Sequence, residues 1–278
     1  KNRFRKTYPR LEIIVHAAAS WEEDPNSLLK TREDLARANM VLITLVFLED
    51  HISAILPDLK KARENCDLML GLVSSKEIVN LTKMGGLDMS KPSSGVLKFL
   101  KKLRGDKNKV TGGEKQMAIL RQIPKVLKFI PGKAQDLRAY FLSMQYWLAG
   151  SEENIESLFC YLLSRYSSIN NSTKMEIKPP VEYPETGLYH PDLPKKITDK
   201  LSEMPFVKNS TGTVGLLLMR SYVLSGDTAH YDEVIKSLEA KGLNVVPAFA
   251  AGLDARPAIN KYFMHNSKTS IDTLLSLT

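Results

Sequence analysis

The chain has 278 residues, 43% apolar and 25% charged, which excludes a wholly disordered or collagen-like polypeptide and allows one large domain or two ordinary ones. Its two cysteines, Cys66 and Cys160, form no CxxC pair, so a disulfide-stapled secreted fold, a zinc ribbon and a cysteine-ligated cluster are excluded and a reducing compartment fits. The net charge of +8 is uneven: residues 91–133 carry 12 Lys/Arg against Asp106 and Glu114, and the rest of the chain sums to −2. Such a segment suits nucleic acid, anionic lipid or an acidic partner, or is a solvated linker with one basic helix face. Phe99 and Phe129 are its only aromatics, too few for single-strand stacking platforms. The longest mainly apolar stretch, 40–48, is too short to span a bilayer, and KNRFRKTYPRLEIIV is not a signal peptide.

In chain order, LEIIVHA (11–17) reads as a strand. PNSLLKTREDLARAN (25–39) reads as a helix with Leu28, Leu29, Leu35 and Ala38 on one face, opened by the acids and proline of EEDPN. MVLITLVF (40–47) is an apolar run of the kind expected for a parallel strand buried on both faces. EDHISAILPDLKKAREN (49–65) is an amphipathic helix that Pro57 should kink or divide. DLMLGLV (67–73) and SKEIVNLTKM (75–84) supply the next strand and helix, before Gly85, Gly86 and Pro92 break the pattern. Alternation with short joints predicts a parallel sheet. From Gly112 the period becomes helical, giving three helices with Gly132 and Gly150 as stops, then a polar loop over 167–180. TVGLLLMR (213–220), HYDEVIKSLEAKG (230–242) and LNVVPAFA (243–250) form a second strand–helix–strand unit, followed by a helix at ARPAINKYF (255–263). SIDTLLSLT approaches a further strand. The N-terminus lacks an initiator Met, so part of a larger protein is expected.

The fold expected is therefore α/β: a flavodoxin-like parallel-sheet head with its basic linker (1–112), a helical connector (113–180) and the start of a second, Rossmann-like domain (181–278). No GxGxxG, GxxxxGK[ST], HExxH or GxSxG occurs, so no nucleotide, zinc-protease or hydrolase signature is present. Three loops hold chemistry-bearing residues. PETGLYHPD (184–192) places Glu185, Tyr189, His190 and Asp192 in an irregular stretch where an imidazole could ligate a metal, shuttle protons or cap a turn. SYVLSGDTAHYD (221–232) puts Ser225, Asp227 and His230 at a strand's carboxyl end beside a helix start. AFAAGLDARP (248–257) puts Asp254 and Arg256 beyond the next strand. Tyr146 and Trp147 read as core or as pocket lining.

Several blocks resemble the porphyrin-binding H subunit of magnesium chelatase. They are IPKVLKFIPGKAQDLRAYFLSMQYWLAGSEENIESLFCYLLSRY, PVEYPETGLYHPDLP and VGLLLMRSYVLSGDTAHYDEVIKSLEAKGLNVVPAFAAGLDARPAINKYF. Upstream, HAAASWEED, NMVLITLVFLEDHISAILPDL and MGGLDMSKPSSGVLKFLKKLRG are similar to that subunit's N-terminal region, especially its bacteriochlorophyll-pathway form. The resemblance implies an N-terminal fragment of a subunit that holds protoporphyrin IX while Mg2+ is inserted, with ATP used by two AAA+-type partner subunits and not by this chain. It implies inactivity of the fragment alone, and a cytoplasmic or chloroplast-stromal location. It leaves room for a porphyrin-delivery or regulatory partner and for peripheral membrane contact, with no nucleic acid. Metallation requires loss of two pyrrole protons and dehydration of Mg2+. Residue type and loop position nominate His190, Glu185 and Asp254 for the macrocycle centre, and Arg220 and Arg256 for its propionates, with Tyr189 and His230 as further porphyrin-binding residues. No resident metal site is expected. The large subunit of aerobic cobaltochelatase is the alternative enzyme. A non-catalytic porphyrin- or partner-binding module and a two-lobed small-molecule binder are the alternatives outside catalysis.

Overall fold

A computed structural model describes residues 4, 8, 11–91, 122–168, 175–251 and 254–278. The basic stretch 92–121, and with it most of the first helix expected after Gly112, lies outside the described residues. Two compact units are present: Lys1–Leu148 with Glu156–Pro180, and Ala149–Ile155 with Val181–Thr278. The α/β class expected is observed, with parallel and antiparallel pairing in both main sheets.

The first unit runs α1 (Ser20–Glu23), α2 (Pro25–Arg37), β1 (Met40–Thr44), α3 (Glu49–Asn65), β2 (Leu68–Leu72), α4 (Lys76–Asn80), β3 (Lys83–Met84) and β4 (Leu87–Asp88). A helical stretch at 122–127 and most of α5 (Lys133–Ala149) and α6 (Glu152–Tyr166) complete it. The sheet order is β1-β2-β3-β4. β1 and β2 are parallel, from Met40 opposite Leu68 to Thr44 opposite Leu72, and β3 and β4 continue as an antiparallel hairpin. Every residue of β2 is buried. Leu68, Leu70 and Leu72 pack with Tyr140, Phe141, Leu158 and Leu162 of α5 and α6. Met69 joins Val41, Ile43, Ile55, Leu59 and Ile78 on the other face. Side chains alternate along a strand, so a strand covered on both faces must be apolar throughout, as LMLGL is.

Gly71 marks the tightest contact: a Cβ there would lie 2.6 Å from the carbonyl oxygen of Ile78 in α4. The helix backbone can approach β2 only because no side chain intervenes. Gly85, with φ +55, begins the turn between β3 and β4, and Asp136 of α5 closes over it. One Asp136 oxygen accepts from Gly86 N–H at 2.8 Å and the other from the Tyr166 hydroxyl at 2.7 Å. Two residues just beyond the parallel strands, Leu45 (φ 58) and Val73 (φ 44), hold left-handed backbones, and Leu45 N–H donates to Val73 O at 3.0 Å.

Three expectations are corrected here. LEIIVHA forms no strand; residues 11–17 are irregular and Val15 is 77% exposed. A β-rich run becomes a strand only where a ladder and a core face receive it. Side chains hold this segment and the helix after it: His16 Nε2 lies 2.9 Å from Asp34 of α2, and Glu22 of α1 lies 2.8 Å from His51 Nε2 of α3. Pro57 does not divide α3. A proline frees carbonyls in the preceding turn, and there Arg32 of α2 donates to Ala54 O at 2.9 Å and pairs with Asp58 at 3.1 Å. The helix expected over 75–84 stops at Asn80, because Lys83 and Met84 pair with β2.

In the second unit the elements are β5 (Thr186–Tyr189), β6 (Ile197–Thr198), a 3₁₀ turn (Leu201–Glu203), β7 (Gly212–Met219), α7 (Arg220–Ser225) and α8 (Ala229–Glu239). β8 (Leu243–Ala250), α9 (Arg256–Tyr262), β9 (Met264–His265), β10 (Lys268–Thr269) and β11 (Thr273–Leu277) follow. The main sheet has the order β11-β7-β8-β5-β6. β11, β7 and β8 are parallel, while β5 runs antiparallel to both β8 and β6. PETGLYHPD is thus not wholly irregular, since TGLY is a strand laid on β8. Pro247, which has no N–H to donate, lies one residue outside the β5 ladder, which begins at Ala248. One face packs Leu188, Leu217, Val246 and Ala248 with Tyr262 and Phe263. The other packs Tyr189, Leu216, Leu218 and Phe249 with Tyr231 and Ile235 of α8. Asn154, buried in the first turn of α6, binds Val181 through both backbone groups, at 2.9 and 3.0 Å.

Gly71→Ala forces a side chain against the α4 backbone. The expected outcome is a loss of about 2 kcal/mol of unfolding free energy. Urea unfolding followed by Trp21 fluorescence checks it, since Trp21 packs on the core below β2.

Candidate functional site

The carboxyl ends of β7, β8 and β11 share one edge of the second sheet, and antiparallel β5 brings its amino end to that edge through Thr186 opposite Ala250. Open α/β sheets bind ligands at such edges. Tyr231 of α8 ties the edge together: its hydroxyl accepts from Met219 N–H at 3.1 Å and donates to Leu277 O at 3.4 Å. Arg220, first in α7, spends its guanidinium on the carbonyls of Pro184 (3.0 Å) and Tyr183 (3.2 Å). It thereby fixes the chain entering β5. Glu185 is half-buried beside it, and its carbonyl accepts from Ala251 N–H at 2.7 Å.

Asp254 and Arg256 form a pair of their own. Arg256 Nε and Nη2 each donate to a different carboxylate oxygen at 2.8 Å, and Arg256 N–H adds a third bond at 3.0 Å. The guanidinium and the backbone N–H hold the Asp254 carboxyl down to about 2. The pair is exposed, so it adds little stability and presents nearly compensated charge. His230, exposed at the start of α8, lies tilted against Tyr231 with centroids 4.0 Å apart and meets Tyr222 edge-on at 5.3 Å. Five of the seven nominated residues therefore stand on elements that meet at this edge: Glu185, Arg220, His230, Asp254 and Arg256.

Tyr189 and His190 do not present themselves there. Tyr189 lies under α8, donating to Asp232 at 2.6 Å with Thr228 Oγ1 at 2.9 Å. Burial, reinforced by the Asp232 carboxylate, pushes its phenol up to about 12. His190 is 1% exposed. Its Nδ1 accepts from Asp192 N–H at 3.2 Å, which leaves Nε2 to donate to Glu239 at 3.0 Å. A ring with both nitrogens engaged fixes the turn after β5, which matches the turn-capping reading of this histidine and not the proton-shuttling one. Asp232, Glu239 and Tyr231 are not among the residues the sequence singles out. Their signal is faint: Asp232 and Glu239 are seven apart, two turns on one face of an otherwise apolar-periodic helix. Among the described residues, no group of three or more His, Cys, Asp or Glu could hold a metal ion, and no helix is long and apolar enough to cross a membrane.

The architecture is that of an α/β protein with two sheet-centred units, the second carrying a polar carboxyl edge. Residues 1–141 match the family described as "Domain of unknown function (DUF3479)", and residues 144–278 match "CobN/Magnesium Chelatase". The chain belongs to the family of that domain of unknown function, which covers just over half of it, and its remaining part matches the CobN/magnesium chelatase model. It is 53% identical over 277 residues to the magnesium-chelatase H subunit of Cereibacter sphaeroides, covering 99% of this chain and 23% of the relative. The corresponding protein of Rhodobacter capsulatus is 51% identical over the same shares. The chloroplastic ChlH subunit of magnesium chelatase from Oryza sativa subsp. japonica is 31% identical over 88% of this chain and 19% of its own. The chain thus spans under a quarter of the length of these relatives. A solved structure, the catalytic subunit of cobaltochelatase from Mycobacterium tuberculosis, aligns with 86% of this chain and 15% of its own at 15% identity and a TM-score of 0.39.

The Tyr189 phenol sets a pH dependence. The folded state keeps its proton up to about 12, against 10.0 for an ordinary tyrosine. Its contribution to stability is complete below pH 10.0 and is lost as the pH rises toward 12. Tyr189→Phe should cost about 1 kcal/mol at neutral pH and flatten the alkaline fall in stability. Urea titrations across that range measure both.

Proposed function

We propose that the chain forms the leading part of a magnesium chelatase H subunit. The complete protein of that kind binds protoporphyrin IX while Mg2+ is inserted, and two AAA+-type partner subunits spend ATP to drive the step. The observation that carries this reading is the 53% identity over 99% of the chain to a protein of that name. We read 1–112 as a head with a basic linker, 113–180 as a helical connector and 181–278 as the start of the chelatase body. The isolated chain is not expected to metallate porphyrin. Bacterial and chloroplastic relatives support a bacterial cytoplasm or a chloroplast stroma as its place.

Insertion needs a base for two pyrrole protons and an environment that strips water from a hard cation. Arg256 keeps Asp254 ionised down to about 2, which makes it a poor proton acceptor. Asp254 is assigned to Mg2+ once Arg256 has left it for a propionate, and Glu185 is the carboxylate assigned to the proton. Arg256, once released from Asp254, and His230 are assigned to the porphyrin's propionates and rim. Arg220, Tyr189 and His190 serve by fixing β5 and its flanking turns, which set where Glu185 stands.

Titration of the purified chain with a water-soluble protoporphyrin analogue tests the reading, with Trp21 and Trp147 quenching and the Soret shift as readouts. Saturable binding is expected, weakened about fivefold in Arg256→Ala through loss of one exposed ionic contact. A folded chain that leaves the Soret band unmoved overturns the assignment of porphyrin contacts to these residues.

A further inference from the structure

The stretch just before α5 carries apolar side chains on the outside. Ile123 and Leu127 are buried in the core beneath α5, while Val126, Phe129 and Ile130 face solvent. Phe129, at 83% exposure, is the most exposed large apolar residue among those described. Lys125 and Lys128 are exposed between them, and residues 122–133 contain no acid. Single exposed apolar residues are ordinary; three within five positions, interleaved with lysines, make a patch.

The patch is also held from beneath. The Gln135 side-chain amide donates to the carbonyls of Leu127 (2.9 Å), Lys128 (3.3 Å) and Ile130 (2.5 Å), and Arg138 Nε donates to Pro124 O at 3.0 Å. Backbone groups that would otherwise need water or helix partners are satisfied by α5, so the turn keeps its shape with Phe129 pointing outward. Ordering entropy is lost in folding and not again on contact with a partner.

We propose that residues 125–130 form a contact point for an anionic lipid surface. Phe129, with Val126 and Ile130, enters the headgroup layer, and Lys125 and Lys128 meet the lipid phosphates. An apolar tip flanked by cations is the composition that binds such interfaces. Charge favours it further, because residues 122–133 hold Lys125, Lys128 and Lys133 and no acid. Exposed apolar side chains of this kind enter a lipid interface without a matching groove, which an acidic protein would have to supply. The surface lies in the domain of unknown function and shares no residue with the proposed porphyrin contacts.

Vesicle co-sedimentation of the 278-residue chain tests this, with phosphatidylcholine vesicles and the same vesicles containing phosphatidylglycerol. The expected result is binding to the anionic vesicles alone, weakened by salt. Lys125→Glu and Lys128→Glu should each reduce it about fivefold at low salt, and Phe129→Ser about tenfold. All three side chains are exposed, and unchanged far-UV circular dichroism verifies the fold. A chain that ignores anionic vesicles overturns the proposal, as does one that binds polyglutamate in their place. Binding undiminished in the three variants also overturns it, by moving the contact elsewhere in the basic segment.

Discussion

Everything in this protein is arranged around parallel strands that must be apolar on two faces. In the first unit that strand is β2; in the second the duty is shared by β7 and β8. Alternate residues of one short strand feed two separate cores, so a single strand fixes the positions of helices on both sides. The same demand explains the glycines. Gly71 lets α4 settle on β2, Gly187 lies under the Phe249 ring, and Gly215 lies under Phe263 and Ile271. Where a helix or ring presses directly on a strand, the strand gives up its side chain.

That constraint also accounts for what the sequence disclosed. Strands buried on both faces are apolar where they are buried, and LMLGL and the middles of GTVGLLLM and LNVVPAFA were legible for that reason, as was the mainly apolar MVLIT, buried at alternate residues. Helices with a one-sided stripe, such as α2 and α8, were legible from their period. Short antiparallel pieces were not. β3, β4, β9 and β10 have two residues each, too few for any period to register. TGLY in β5 was masked by its prolines and glycine, and LEIIVHA misled because composition cannot report whether a neighbouring edge is offered.

The candidate site was legible in part. Asp254 and Arg256 were readable as polar residues after a strand, and the structure joins them as a bidentate pair. Tyr189 and His190 sit in an equally polar-looking stretch but turn inward, because Asp232 and Glu239 of α8 wait there to receive them. Which way a polar side chain faces at a strand end depends on partners about 40 to 50 residues away. Nothing within the local motif encodes it.

Leu45 and Val73 bear on a different question. Both hold left-handed backbones just past the ends of β1 and β2, and neither is glycine. Such a conformation costs an L-residue with a Cβ roughly 1–2 kcal/mol. Glycine would remove that cost, yet the chain keeps a leucine and a β-branched valine, with Leu45, Phe47 and Leu48 exposed on the joint they shape. The two positions differ in what the side chain returns: Val73 packs on the core of β2 and α5, whereas Leu45 is exposed. For anyone seeking a hardier version of this protein, Leu45 is the position where glycine relieves the backbone without opening a cavity, and Val73 is the one where it does not.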